Sequence, residues 1–202
     1  MPVADLTFHE DQALSRLLRF LAVEGVTGQE KAIAETVLRD LVESGVDRKW
    51  ITFDDANKRI DPPTETGNLI VKLPGSRPGP RLLFLTHLDT VPLAAGADPV
   101  QKGNRIISRE KTALGGDNRT GVAVLATLAA TLLENRLDYP PLTLLFTVRE
   151  ESGLWGAAKV NLKDLDNPVM GFNVDGRSPQ ELTIGAVGAE RWEVEIFGRA
   201  SH

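Results

Sequence analysis

Residues 142–153 read LTLLFTVREESG. The first seven are apolar or threonine and show no polar face, the pattern of a strand covered on both sides within a sheet. Glu150 and Glu151 then stand side by side at its end. Adjacent carboxylates repel, and either is costly to bury without a partner. The end of this strand therefore calls for a compensating positive charge.

Outward from this run the texture repeats. NLIVKL (68–73), RLLFLTHLD (81–89) and VMGFNVD (169–175) are short apolar runs, and PGSRPGP separates the first two as a turn. Helical signals alternate with them. Leu14, Leu17, Leu18 and Leu21 recur at helical spacing, with Gly25 as a stop. Thr27 and Glu30 have capping-box spacing ahead of the stripe Ile33, Ala34, Val37, Leu38, Leu41 and Val42. A helix is predicted over 119–135, and a short one starting near Leu154. ELTIGAV and RWEVEIFG predict further strands. Buried strands alternating with helices predict an α/β fold, a mostly parallel, doubly wound sheet with helices on both faces. The glycine-marked stretch GAVGAER places a boundary near 186–190, giving one domain over 1–188 and the start of a second over 189–202.

Composition narrows the function classes. The 202 residues suffice for one substantial core. A net charge of −5 with no basic run predicts neither a nucleic-acid partner nor an anionic membrane. The absence of cysteine excludes disulfides and thiolate metal sites, and fits a cytoplasmic setting. MPVADLTFHEDQ lacks the basic and apolar regions of a signal peptide. The apolar stretch 121–133 is too short to span a bilayer and reads as a buried helix. The chain stops at IFGRASH, just after a strand-like run, so it is expected to be the front part of a longer protein.

Polar groups gather at the ends of the apolar runs. His87 and Asp89 end one, Glu150 and Glu151 a second, and Asp175 a third; Asp117 precedes the long helix within ALGGDNRTG. In parallel α/β sheets the carboxyl ends of strands share one edge, where ligands bind. Each piece alone is an ordinary turn or polar edge, but together they make one imidazole and up to five carboxylates. Such a cluster repels itself without a cation and becomes a ligand set with one. Imidazole plus carboxylate without sulfur suits catalytic zinc, and also manganese or cobalt. His87 and Asp89 are two apart in an extended strand and face the same way, so Asp89 can accept from the second ring N–H of His87. Asp117 at a glycine-flanked helix start can lean between two metals. One of Glu150 and Glu151 can bind metal while the other acts as base.

The motifs THLDTVP, GGDNRTG, TVREESGLWGA, NVDG and GRASH occur in the order seen in co-catalytic zinc peptidases. Over about residues 10–202 the chain resembles the peptidase T and carboxypeptidase G group of aminopeptidases, carboxypeptidases and deacylases. The resemblance implies a zinc-binding α/β domain interrupted by a lid that often mediates dimerisation, so that 189–202 would begin the lid. It implies two zinc ions: His87 and Asp175 on one, Glu151 on the other, and Asp117 bridging both. Glu150 would be the general base, Asp89 would orient His87, and His202 would be the lid histidine that reaches substrate. A cis peptide is implied at Asp117–Asn118. The last zinc ligand of the group is a histidine beyond the lid, and none of the three histidines here fits that place. Arg149 stands where peptidase T-like enzymes often carry aspartate. The implied activity is hydrolysis of short peptides by an aminopeptidase; the alternatives are an N-acyl amino acid deacylase or carboxypeptidase and, in another class, a catalytically silent metal-binding or interaction domain.

Overall fold

The computed structural model describes residues 6–176, 178–188, 190, 192 and 194–199. Its main sheet comprises β1 (Ile51–Phe53), β2 (Leu69–Leu73), β3 (Leu82–His87), β6 (Leu142–Thr147) and β7 (Met170–Asn173) in the order β1-β2-β6-β3-β7. β6 lies at the centre and all six of its residues are buried, which is why the run carries no polar face. Its two threonines are satisfied internally: Thr143 Oγ1 donates to Leu165 O at 3.0 Å and Thr147 Oγ1 to Thr86 O at 3.3 Å. A separate hairpin, β4 (Pro99–Lys102) and β5 (Arg105–Ser108), turns at Gly103 and Asn104.

The α/β class is as expected, but the sheet is mixed rather than mostly parallel. β3 runs parallel to both β6 and β7, whereas β2 is antiparallel to both β1 and β6. The cause is the link between β2 and β3. A parallel crossover needs a dozen or more residues, and the turn-rich stretch 74–81 is shorter, so the chain must reverse.

Three helices cover one face: α1 (Glu10–Leu21), α2 (Lys31–Glu43) and α3 (Gly116–Glu134). Their Phe20, Ile33, Val37, Leu41, Val122, Leu125 and Ala129 pack with Leu69, Val71, Leu73, Leu142, Leu144 and Phe146 in one buried cluster. Each fully buried side chain of this size contributes about 1.5–3 kcal/mol. The intervening strand residues Ile70 and Leu145 face the other way and meet Leu165, with Leu83, Leu85 and Val160 beside them. That second face is thus covered more thinly than a doubly wound sheet implies, among the described residues. Arg16 ties the three helices together, its Nε bonding Asp40 Oδ2 at 2.6 Å and its Nη1 bonding Thr127 Oγ1 at 3.0 Å.

Asp117 and Asn118 have non-helical backbone angles, so the regular turns of the long helix begin at 119 as predicted, and the short helix α4 (Trp155–Ala158) follows Leu154 as expected. The strands expected at ELTIGAV and RWEVEIFG are not formed among the described residues of 181–199. A strand needs a neighbour to accept its amides, and these residues have none; Ile184 and Ile196 are exposed. The expected boundary at 188/189 falls next to Ala189, which lies outside the described residues.

Candidate metal centre

Parallel register brings the strand ends level. His87 pairs with Thr147 across β3 and β6, and Leu85 pairs with Asn173 across β3 and β7. His87, the Glu150–Glu151 turn and Asp175 therefore leave the sheet at one edge. α3 delivers Asp117 to the same edge. Its first turn approaches the strands so closely that a Cβ on Gly121 would lie 2.4 Å from both Thr86 Oγ1 and Val174 O, so only glycine fits. Asn118 fastens this junction. Its Nδ2 donates to Thr86 Oγ1 at 2.9 Å and Val174 O at 2.7 Å, while its Oδ1 accepts from Gly121 N. The Asp117–Asn118 peptide is cis.

His87 is buried, 2% exposed. Its Nδ1 lies 2.9 Å from the backbone O of Asp89. An N–H there donating to that carbonyl leaves the Nε2 lone pair free as a ligand. Nε2 faces three carboxylates: Asp117 Oδ1 at 3.1 Å, Glu150 Oε2 at 3.9 Å and Asp175 Oδ2 at 3.9 Å. Donor atoms of His87, Asp117 and Glu151 lie within 4.8 Å of one another, close enough to share one ion. The sequence-derived residues His87, Asp117, Glu150, Glu151 and Asp175 are thus brought to one rim. His202 lies outside the described residues.

Asp89 stands beside His87 as expected and has a second task as well. Its Oδ1 lies 3.4 Å from His87 Nδ1, and both of its oxygens also take backbone amides. Oδ1 accepts from Glu150 N at 2.9 Å and Oδ2 from Glu151 N at 3.1 Å. The backbone carbonyl and the carboxylate of Asp89 both face the Nδ1 side of the imidazole, and the carboxylate also holds the glutamate turn. Sequence reasoning missed two further residues at this turn. Glu30 Oε1 accepts from Arg149 N, and Asn68 Oδ1 from Val148 N, both at 3.0 Å.

The electrostatics call for a cation. Burial pushes the carboxyls of Glu150, Glu151 and Asp175 above the ordinary range; His87 offsets part of this, and neighbouring carboxylates add to it. Burial disfavours charge on His87, yet Asp89, then Glu150 and Asp175, raise it to about 9. Among the described residues, the ion pairs of Asp117, Glu150 and Asp175 are all with His87. One imidazole cannot neutralise this set, whereas a divalent ion can. An oxygen-rich set with one imidazole and no sulfur fits a hard or borderline divalent metal. An open cleft of about 820 Å³ adjoins Asp117 and Asp175, with Thr120, Val124 and Val174 on its wall.

The fold and this donor set define a class, the metallopeptidase-type hydrolase domain. The chain belongs to peptidase family M28, whose profile matches residues 68–200. It is 26% identical over 195 residues to YqjE of Bacillus subtilis (strain 168), covering 96% of this chain and 51% of that protein. It is 30% identical over 140 residues to carboxypeptidase G2 of Pseudomonas sp. (strain RS-16), covering 67% of this chain and 33% of that protein. Its fold superimposes on a tripeptidase from Staphylococcus aureus with a TM-score of 0.77 and 27% identity, over 85% of this chain and 44% of that one. The chain therefore spans about half the length of these relatives or less. No helix among the described residues is long and apolar enough to cross a membrane.

Proposed function

We propose that the chain carries the catalytic centre of a metal-dependent aminopeptidase for short peptides and, where a lid is present, works as a cytoplasmic homodimer. The observation that carries this is the position of His87 Nε2, within 4 Å of carboxylate oxygens from Asp117, Glu150 and Asp175. The tripeptidase likeness supports the substrate class. Two zinc ions are proposed, with manganese or cobalt as substitutes. His87 and Asp175 would hold one, Glu151 the other, and Asp117 both. A bound ion supplies the charge that lowers the pKa of water and polarises a scissile carbonyl.

The chain's own groups do the rest. Glu150, raised by burial, is suited to take a proton from the attacking water and return it to the leaving amine. Asp89 keeps the backbone of Glu150 and Glu151 in place and, through its carbonyl and carboxylate, orients the ring of His87. The cleft beside Asp117 and Asp175 has the volume of a small-ligand site. His202 is proposed to stabilise the developing oxyanion. A second reading, an N-acyl amino acid deacylase or carboxypeptidase, is favoured by the likeness to carboxypeptidase G2.

The test is zinc-loaded protein assayed on free-amine tripeptides beside N-acylated amino acids, with bound metal measured by elemental analysis. Cleavage of the tripeptides is expected. Cleavage of the N-acyl substrates alone would replace the aminopeptidase with the second reading. Bound metal without turnover of either would leave a catalytically silent metal-binding domain, and no bound metal would end the proposal.

A further inference from the structure

The loop after β6 leaves the sheet at Thr147, and from Val148 on its amides have no ladder to join. Four consecutive ones are nevertheless taken by side chains. Val148 N–H donates to Asn68 Oδ1 at 3.0 Å, and Arg149 N–H to Glu30 Oε1 at 3.0 Å. Glu150 N–H and Glu151 N–H donate to the two oxygens of Asp89 at 2.9 and 3.1 Å. Each of the three acceptors is 0% exposed, and they come from distant places: the turn before α2, the start of β2 and the loop after β3.

The acceptors are themselves fixed. Asn68 Nδ2 donates to Asp54 Oδ2 at 2.8 Å and to Gly156 O at 3.0 Å. Glu30 Oε1 also accepts from Gly28 N at 2.7 Å. Arg149 has a φ of 51°, a conformation an L-residue adopts at a cost and one that external bonds must hold. A carboxylate at full burial is expensive, and packing alone would be served better by leucine or methionine. In Glu30 the oxygen that bonds serves Gly28 and the amide just ahead of the two glutamates.

We propose that Glu30 and Asn68 are positioning residues: with Asp89 they form a cradle for four successive amides that fixes the turn presenting Glu150 and Glu151. The bearing of this cradle on catalysis rests on the function proposed above; the cradle itself can be tested without metal or substrate. In the metal-free chain, amide hydrogen exchange read by NMR should show protected N–H groups at Val148 and Arg149. Glu30→Ala should speed exchange at Arg149 about tenfold or more while amides of β6 keep wild-type rates. Glu30→Gln, whose amide oxygen can still accept, should restore protection. Asn68→Ala should have the same local effect at Val148.

In protein loaded with cobalt(II), Glu30→Ala should change the visible spectrum of the ion and lower kcat more than it raises KM, and Glu30→Gln should recover both. An unprotected Arg149 amide in the wild type would overturn the proposal. So would Glu30→Ala exchange that is unchanged, or uniformly faster through β6, or a spectrum and kcat identical to wild type. Should Glu30→Ala not fold, the wild-type protection and its retention in Glu30→Gln decide. A wild-type chain that binds no cobalt and cleaves no peptide would sink the proposed function, while the exchange data still judge the cradle.

Discussion

Glu30 and Asp89 are both carboxylates with no solvent exposure, yet their protons are held oppositely. Burial raises both. In Asp89 that effect is outweighed by His87 and the amides of Glu150 and Glu151, and the net shift is downward. In Glu30 burial dominates the opposing amide bonds, with Asp89 adding to it, and the carboxyl is pushed up to about 7 from 4.5. A raised folded-state value means that the folded chain binds the proton more tightly than the unfolded one. Glu30 therefore contributes stability that is full below about pH 4.5 and is lost as pH rises through about 7. Glu30→Gln should remove that slope, so that the variant gains on the wild type by on the order of 3 kcal/mol between pH 4.5 and 8. Urea denaturation at a series of pH values checks this; parallel curves for the two proteins would contradict it. Glu150→Gln should retain bound metal and lose about 10²–10⁴-fold in kcat, read by elemental analysis and steady-state kinetics. At this scale the sequence was a partial guide. The metal-rim residues could be named because all but Asp117 follow an apolar run, and Asp117 stands in a glycine-flanked helix start. Glu30 was misleading, because Thr27 and Glu30 match a local capping pattern, while beside the nearby Gly28 N its oxygen takes Arg149 N, 119 residues away. No local spacing records such a bond.

At the scale of elements, the junction of α3 with the strand ends governs where Asp117 stands. Gly121→Ala would press a methyl against the Val174 carbonyl, which cannot rotate away. We expect a loss of about 1–3 kcal/mol by urea denaturation, together with weaker metal binding by calorimetry as Asp117 is displaced. Wild-type affinity in a variant of wild-type stability would refute both. The strands that build the site, β3, β6 and β7, were legible because burial on two faces leaves an unbroken apolar run. The direction of β2 was readable too, since 74–81 is too short for a crossover, but only if link length is weighed as well as composition. The β4–β5 hairpin escaped notice although Gly103-Asn104 is a two-residue turn signal. Its strands are four residues each and only half-buried, so neither makes a long apolar run. The strands foreseen after 180 are not formed among the described residues: alternation signals a half-buried ribbon but does not provide the neighbour it needs.

For the molecule as a whole, a set of mutually repelling carboxylates on one rim is destabilising until it is neutralised. An ion bound only by the folded state adds about 2.7 kcal/mol at a hundredfold excess over its Kd. Chelation of zinc should therefore lower Tm, and readdition should restore it, as followed by circular dichroism; a Tm indifferent to chelator would argue against a built site. The metal donors at 87, 117, 151 and 175, with the base at 150 and the supports at 30, 68 and 89, are distributed through most of the sequence. No contiguous stretch of the chain contains the set. A backbone break at the exposed turn Gly103–Asn104 would put His87, Asp89, Glu30 and Asn68 on one piece and Asp117, both glutamates and Asp175 on the other. Ion capture by such a pair would then report their reunion, since neither half holds a complete chelate alone.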